Sequence, residues 1–288
     1  DAGAMSRAQP GAGRIARVLT YHAVQPSLDL GVTWVTPHQF RQQAGLLARL
    51  GFRGVRVGDL LQEEGADWVA LTFDDGYLSV HRWAFPVLQE MGWTGTIFPV
   101  VDFIGKDNRW EGNLFGLRFP HVDWTHLREM VDAGWEIGSH GLRHAYLPWA
   151  DPTTLRKEIY ESKRKLEDRL GIAVRTFCAP YGRADERVIQ VAMEAGYEVI
   201  CLLNGRRAGF AVRSGRAWIL YRWAVYRMDS CRGVAGKVLS SRRGRAPRTF
   251  IQAIVCGANL GGVLVQIGRE KGLAILDRFA KIVRGTAG

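Results

Sequence analysis

Apolar residues recur along this chain in two kinds of run. Short stretches rich in β-branched and aromatic residues, at 17–21, 54–57, 68–73, 95–101, 136–139, 176–178, 199–203 and 219–223, predict strands. Longer stretches with apolar positions three and four apart, at 37–50, 79–91, 124–133, 151–170 and 185–195, predict helices. Thr36 before Pro37 makes a helix start, and Gly51, Gly92, Gly134, Gly171 and Gly196 each follow a predicted helix, where a glycine accepts the left-handed cap. Strand and helix alternate from residue 17 to 223, which calls for a parallel sheet with crossover helices; a (β/α) barrel and a doubly wound sheet both fit. Beyond residue 228 the pattern changes. A basic stretch with glycine and serine at 233–248 leads into an uncharged run at 249–268, which Gln252, Asn259, Gln266 and four glycines make a buried or interfacial helix rather than a membrane span. An amphipathic segment follows at 270–284. The expected organisation is a non-native, flexible lead-in at 1–14, a catalytic domain at 15–228, and a basic, apolar helical extension at 229–288.

With 288 residues, 47% of them hydrophobic and 23% charged, the chain can bury the core of one large α/β domain. Cys178, Cys201, Cys231 and Cys256 form no C-x-x-C pair and read as free thiols. The first ten residues lack the apolar centre of a secretory signal. A bacterial protein of the cytoplasm, or one lying at the inner face of the membrane, is therefore expected. Much of the net charge of +11 lies past residue 200, including Arg242, Arg243, Arg245 and Arg248. No pattern of interleaved aromatics accompanies it, so a lipid-linked or membrane-surface anion is expected as partner and nucleic acid is not.

Two segments carry chemistry. In Leu71-Thr72-Phe73-Asp74-Asp75-Gly76 an apolar strand runs into two adjacent carboxylates, at the strand end where parallel α/β folds place their sites. Neighbouring side chains diverge there, so one aspartate can hold a metal while the other handles a proton. In Gly138-Ser139-His140-Gly141-Leu142-Arg143-His144 two histidines stand four apart, a spacing that on a helical turn brings both imidazoles to one face for a divalent metal.

These segments, with Ala179-Pro180-Tyr181-Gly182, resemble the polysaccharide deacetylase family, the family 4 carbohydrate esterases with NodB homology, over about residues 15 to 225. The resemblance implies a distorted (β/α) barrel of about seven strands. It also implies Asp75, His140 and His144 as metal ligands, Asp74 as general base, and the Tyr181 backbone N–H as an oxyanion donor. Two departures stand out. Many members carry an arginine that orients the catalytic aspartate where this chain has Cys178, which leaves Arg222 and Arg175 as candidates for that task. Most also have a late histidine as general acid, and none follows His144 here. Leu19-Thr20-Tyr21-His22 offers a similar strand end at the front of the chain, an arrangement similar to the circularly permuted poly-N-acetylglucosamine deacetylases, with His22 as the acid.

The activity so implied is hydrolysis of an N-acyl group, acetyl above all, from an amino sugar. One divalent ion would assist, with zinc ahead of cobalt, nickel, iron or manganese. A catalytically degenerate metal- or carbohydrate-binding relative is the alternative. A two-histidine, one-carboxylate iron oxygenase fits poorly, because Leu142 occupies the position where that triad carries its acid. Substrate contacts are expected from Pro180 and Gly182, from Trp110 and Trp149 in loops, and from Arg222.

Overall fold

In the computed structural model, residues 14–26, 32–62, 67–108, 118–205 and 207–240 are described. Twelve strands occur among them: Arg14–Ile15 (β1), Val18–Tyr21 (β2), Ala23–Val24 (β3), Trp34–Val35 (β4), Arg53–Val55 (β5), Trp68–Phe73 (β6), Thr96–Ile97 (β7), Glu136–Ile137 (β8), Thr176–Cys178 (β9), Val199–Leu203 (β10), Phe210–Ser214 (β11) and Ala217–Ala224 (β12). The α-helices are Pro37–Arg49 (α1), Val57–Gln62 (α2), Phe85–Glu90 (α3), Trp124–Asp132 (α4), Pro152–Leu170 (α5), Glu186–Glu194 (α6) and Cys231–Ser240 (α7).

Seven strands pair in parallel around a ring. The path runs from β2 to β6, β7 and β8, crosses to β9 through a bridge between Ser139 and Phe177, and returns through β10 and β12 to β2. The β8–β9 junction is thin, carried by Ser139 N–H to the Thr176 carbonyl and Cys178 N–H to the Ser139 carbonyl. A distorted (β/α) barrel results. The first barrel strand, β2, lies beside the last, β12, so a chain that ended with this strand rather than beginning with it would place it in the same slot. That adjacency is what a circular permutation requires.

Period-two alternation sorts each barrel strand into two faces. Leu19, Tyr21, Leu71, Phe73, Ile97, Ile137, Phe177, Ile200, Ile219 and Trp223 share one hydrophobic cluster with helix residues such as Phe40, Leu88, Leu127, Ile159 and Val188. Val18, Ala70, Phe98, Cys178, Val199, Cys201 and Leu220 form a separate, inner cluster. Following the inner face one further step along the strands reaches His22, Asp74, His140 and Arg222. Space inside is short: a Cβ on Gly138 would stand 2.3 Å from the Phe98 ring.

Helix ends follow the sequence signals. Thr36 and Gln39 form a capping box at α1, and the five glycines after helices all have positive φ. The predicted helix at 79–91 is instead a π-helical turn, Val80–Ala84, followed by α3. Pro86 cannot donate the backbone bond that a continuous α-helix would send to Arg82, and the ladder widens there. The predicted strand at 95–101 pairs only over Thr96–Ile97, because Pro99 interrupts it. An unpredicted antiparallel hairpin, β11–β12, turns at Gly215–Arg216. Beyond the barrel, α7 folds back toward α1, with Val234 and Val238 fully buried in the outer cluster and Gln43 donating to the Asp229 carbonyl. Among the described residues no helix is long and apolar enough to cross a membrane. Of the expected lead-in at 1–14 only Arg14 is described, as part of β1, and the basic run at 242–248, the apolar run at 249–268 and the last amphipathic segment lie outside the described residues. Two charges counted past residue 200, Arg222 and Lys237, are buried in ion pairs with Asp74 and Asp229, so neither contributes to a basic surface.

Candidate metal centre and active site

The two aspartates leave β6 in different directions because the chain turns sharply there. Asp75 has φ 68° and Gly76 φ 79°. Glycine is required at 76, where a Cβ would lie 2.8 Å from the Pro99 backbone. Among the described residues, the only non-glycine positions with positive φ are Asp75, His144 and Tyr181. Each such conformation costs about 1–3 kcal/mol and persists where surrounding structure enforces it, characteristically at functional sites.

The turn points Asp75 at the histidines. Its Oδ1 stands 3.3 Å from His140 Nε2 and 3.5 Å from His144 Nε2. Donors held at about 2.1 Å from a tetrahedral ion lie about 3.4 Å apart, so this spacing suits one cation between the three groups. His140 Nδ1 is 2.8 Å from the Cys178 carbonyl. A carbonyl only accepts, so Nδ1 carries a hydrogen, and in the neutral ring that binds a metal Nε2 turns its lone pair toward Asp75. Two acceptors facing at that range need a positive charge between them, and the titration of the site reflects this. Burial opposes charge on His140, yet Cys178 and the Asp75 carboxylate outweigh it and raise its pKa well above the usual histidine range. Burial, reinforced by His140, pushes His144 down to about 3. Asp75 sits below the ordinary carboxylate range: burial alone would raise it, but its bond to His140 and the nearby imidazoles prevail. The donor set and its spacing therefore fit a divalent cation held by Asp75, His140 and His144.

The histidines are not on a helical turn, as their spacing suggested. The intervening chain is a loop with φ 78° at Gly141. Glu158, on the buried face of α5 and without exposed surface, staples this loop by accepting from the Leu142 and Arg143 N–H groups, both at 2.9 Å. Sequence reasoning missed Glu158, although an acid set among Leu155, Ile159, Ser162 and Leu166 at helical spacing is a readable signal.

Asp74 faces a different partner. Arg222 reaches across from β12 and grips it with two bonds, Nη1 to Oδ1 and Nη2 to Oδ2, both 2.8 Å. The same guanidinium donates to Thr72 Oγ1 at 3.0 Å and to Cys178 Sγ at 2.9 Å, and lies over the Phe98 ring. Burial would raise the Asp74 pKa, but the Arg222 charge and bonds overcome it and hold the carboxyl ionised. Arg175, the other candidate, is half exposed and pairs with Glu198 instead. Arg222 is 0% exposed, so the expectation that it also touches substrate does not fit: the residue positions Asp74. Asp74, His140 and Cys178 form a second cluster of metal-ligand type. Arg222 already supplies its cation, and burial raises the Cys178 thiol pKa, so that cluster is not suited to an ion.

His22 follows β2, in register with Asp74: Tyr21 pairs with Phe73, and Asp74 N–H donates to the Tyr21 carbonyl at 2.9 Å. Its imidazole is close enough for its charge to act on Asp74, Asp75 and His144. Tyr181, at φ 58°, lies between buried Pro180 and Gly182, with its ring 4.6 Å from that of His144. A Cβ on Gly182 would meet Leu203 at 2.4 Å, which fixes the path of this turn. His121, which no motif marked, is buried near Asp75 and stacks on Tyr77 at 5.2 Å, and burial lowers its pKa to about 4. Trp149 is 60% exposed, whereas Trp110 falls outside the described residues.

Comparison with known proteins agrees with this architecture. Residues 62–200 match the sequence model of the family described as polysaccharide deacetylase. The Bacillus subtilis (strain 168) protein YxkH, assigned as a polysaccharide deacetylase, is 28% identical over 131 residues, which cover 46% of this chain and 43% of YxkH. Among solved structures, IcaB from Ammonifex degensii superposes with a TM-score of 0.64 at 26% identity, covering 78% of this chain and 97% of that one. Streptococcus pyogenes deacetylase PplD, solved with acetate, gives 0.66 at 19% identity, covering 79% and 99%. His22 and Arg222 lie outside the matched segment, and geometry alone brings them to it. Over residues 62–200, which carry both aspartates, both histidines and Tyr181, this chain is thus similar to the polysaccharide deacetylase family.

Proposed function

We propose that this protein is a metal-dependent hydrolase that removes an N-acyl group, acetyl in the first instance, from an amino sugar. One observation carries the reading: at one end of the barrel a cation-sized cluster of Asp75, His140 and His144 lies beside a second aspartate that an internal arginine holds ionised. A divalent ion held by those three residues would polarise the amide carbonyl and make bound water more acidic.

The remaining work falls to the chain itself. Asp74, kept charged by Arg222, accepts the proton of the attacking water. The backbone N–H of Tyr181, in the strained turn beside His144, would donate to the carbonyl oxygen as it gathers charge. His22, on the side of Asp74 opposite the ligand loop, donates a proton to the departing nitrogen, because an unprotonated amide nitrogen leaves poorly. Cys178 in place of the more usual arginine does not disarm the base, since Arg222 fills that role from β12.

The test is acetate release from soluble N-acetylglucosamine oligomers by chelator-treated protein, with zinc or cobalt added back. Metal-restored release supports the proposal. Tight metal binding with no release from oligomers of several linkages would favour the degenerate, binding-only alternative.

A further inference from the structure

The ring of Tyr181 beside His144 does not stand alone. Its centroid is 5.8 Å from that of Tyr146, and Tyr146 is 4.9 Å from Trp149, so an unbroken file of aromatic rings runs from a metal-ligand candidate out to the surface. Trp149 ends the file at 60% exposure, among the most exposed large apolar side chains described. A lone exposed apolar residue would be unremarked on any surface. The backbone that carries this one is pinned, and its indole packs against Tyr146. It closes a short 3₁₀ turn, Leu147–Trp149, in which Trp149 N–H donates to the Tyr146 carbonyl at 3.1 Å. Leu147 is fully buried beneath it, and Arg187 from α6 donates to the Pro148 carbonyl at 3.0 Å. The chain thus fixes an indole in water at the end of a path that starts in the candidate active site.

Resting on the hydrolase reading, we infer that Tyr146 and Trp149 form the subsite for the sugar next to the one that is deacetylated, so that Trp149 sets how strongly a second ring tightens binding. Pyranose rings present a flat C–H face with hydroxyls at the edge. A rigid aromatic ring is complementary to that face and loses little conformational freedom when it binds. The sugar whose acetyl group reacts sits against Tyr181, and the next ring along the chain stacks on Trp149. The subsite contributes binding distant from the reacting bond, so it governs KM on long substrates and is silent on short ones.

The experiment compares Trp149→Ala and Trp149→Phe with the unaltered protein on the methyl glycoside of N-acetylglucosamine and on a β-linked N-acetylglucosamine pentamer. Trp149→Ala should raise KM for the pentamer about tenfold with kcat unchanged, leave the methyl glycoside unaffected, and be largely rescued by Trp149→Phe. Equal losses on both substrates, or no loss on the pentamer, would overturn the subsite. Calorimetric titration of the pentamer separates this from the hydrolase reading. If no acetate is released from any substrate, the reaction proposal fails, yet pentamer binding weakened about tenfold by Trp149→Ala still supports the subsite, and unchanged or undetectable binding refutes it.

Discussion

Replacing Arg222 with methionine removes the cation that is hydrogen-bonded to Asp74 while keeping most of the side-chain volume. Four bonds disappear: two to Asp74 at 2.8 Å, one to Thr72 at 3.0 Å and one to Cys178 at 2.9 Å. The larger consequence is a carboxylate, 3% exposed, that loses its hydrogen-bonded counter-charge and keeps only the weaker influence of His140 and His22. Breaking a buried pair by deleting one partner costs about 3–5 kcal/mol, far more than an exposed ion pair is worth. Much of that cost is the stranded charge, so Asp74→Asn in the same background should recover a large part of it. Urea denaturation of chelator-treated protein would measure the four members of this cycle, and a coupling of about 2–3 kcal/mol is expected. Activity should fall with Arg222→Met and return in part when Cys178→Arg is added, which restores a charge beside Asp74 from β9. Additivity of the two single substitutions within about 0.5 kcal/mol, or a loss below about 1 kcal/mol for Arg222→Met, would refute the claim that the pair is one unit.

Burial lowers the His121 pKa from 6.5 to about 4. The unfolded chain therefore binds a proton that the native state refuses, and stability falls as pH drops from 6.5 toward 4. His121→Phe, which keeps a ring against Tyr77, should lose about 2 kcal/mol less than the parent between pH 7 and pH 5 in urea titrations; identical slopes would remove His121 as a titrating core group. Gly76→Ala places a Cβ 2.8 Å from Pro99 Cα at φ 79°. It should cost more than about 2 kcal/mol and weaken metal binding by displacing Asp75, so an unchanged melting temperature would count against a rigid turn. Zinc at a hundredfold excess over its Kd should stabilise the protein by about 2.7 kcal/mol, read as a rise in melting temperature, and His144→Ala should abolish that rise.

The parts of this site that the sequence made legible are those where one local rule decides the outcome. The all-apolar run from Trp68 to Phe73 ends where the carboxylates begin, and β6 has the predicted bounds. Strand alternation, once the strands are placed, sends His22, Asp74, His140 and Arg222 to a common interior. Arg222 could be singled out because a lone charge in the apolar strand Ala217–Ala224 demands a buried partner, but the choice between it and Arg175 needed the barrel's register. The π-helical turn depended on a missing donor at Pro86, which helical periodicity does not register. The hairpin of β11 and β12 was signalled by Ser214-Gly215 and overlooked. The convergence of Asp75, His140 and His144 owes nothing to a helical face: it comes from left-handed turns at Asp75, Gly141 and His144, which no hydrophobic pattern records.

Separating the two aspartates tests the central claim most directly. Metal content by elemental analysis and acetate release should be measured together for the parent, Asp74→Asn, Asp75→Asn and His140→Ala. The account predicts one ion per chain in the parent and in Asp74→Asn, release in the parent alone, and loss of both ion and release in the other two. An Asp74→Asn protein that turns over like the parent, or a His140→Ala protein that keeps its full complement of metal, would contradict it.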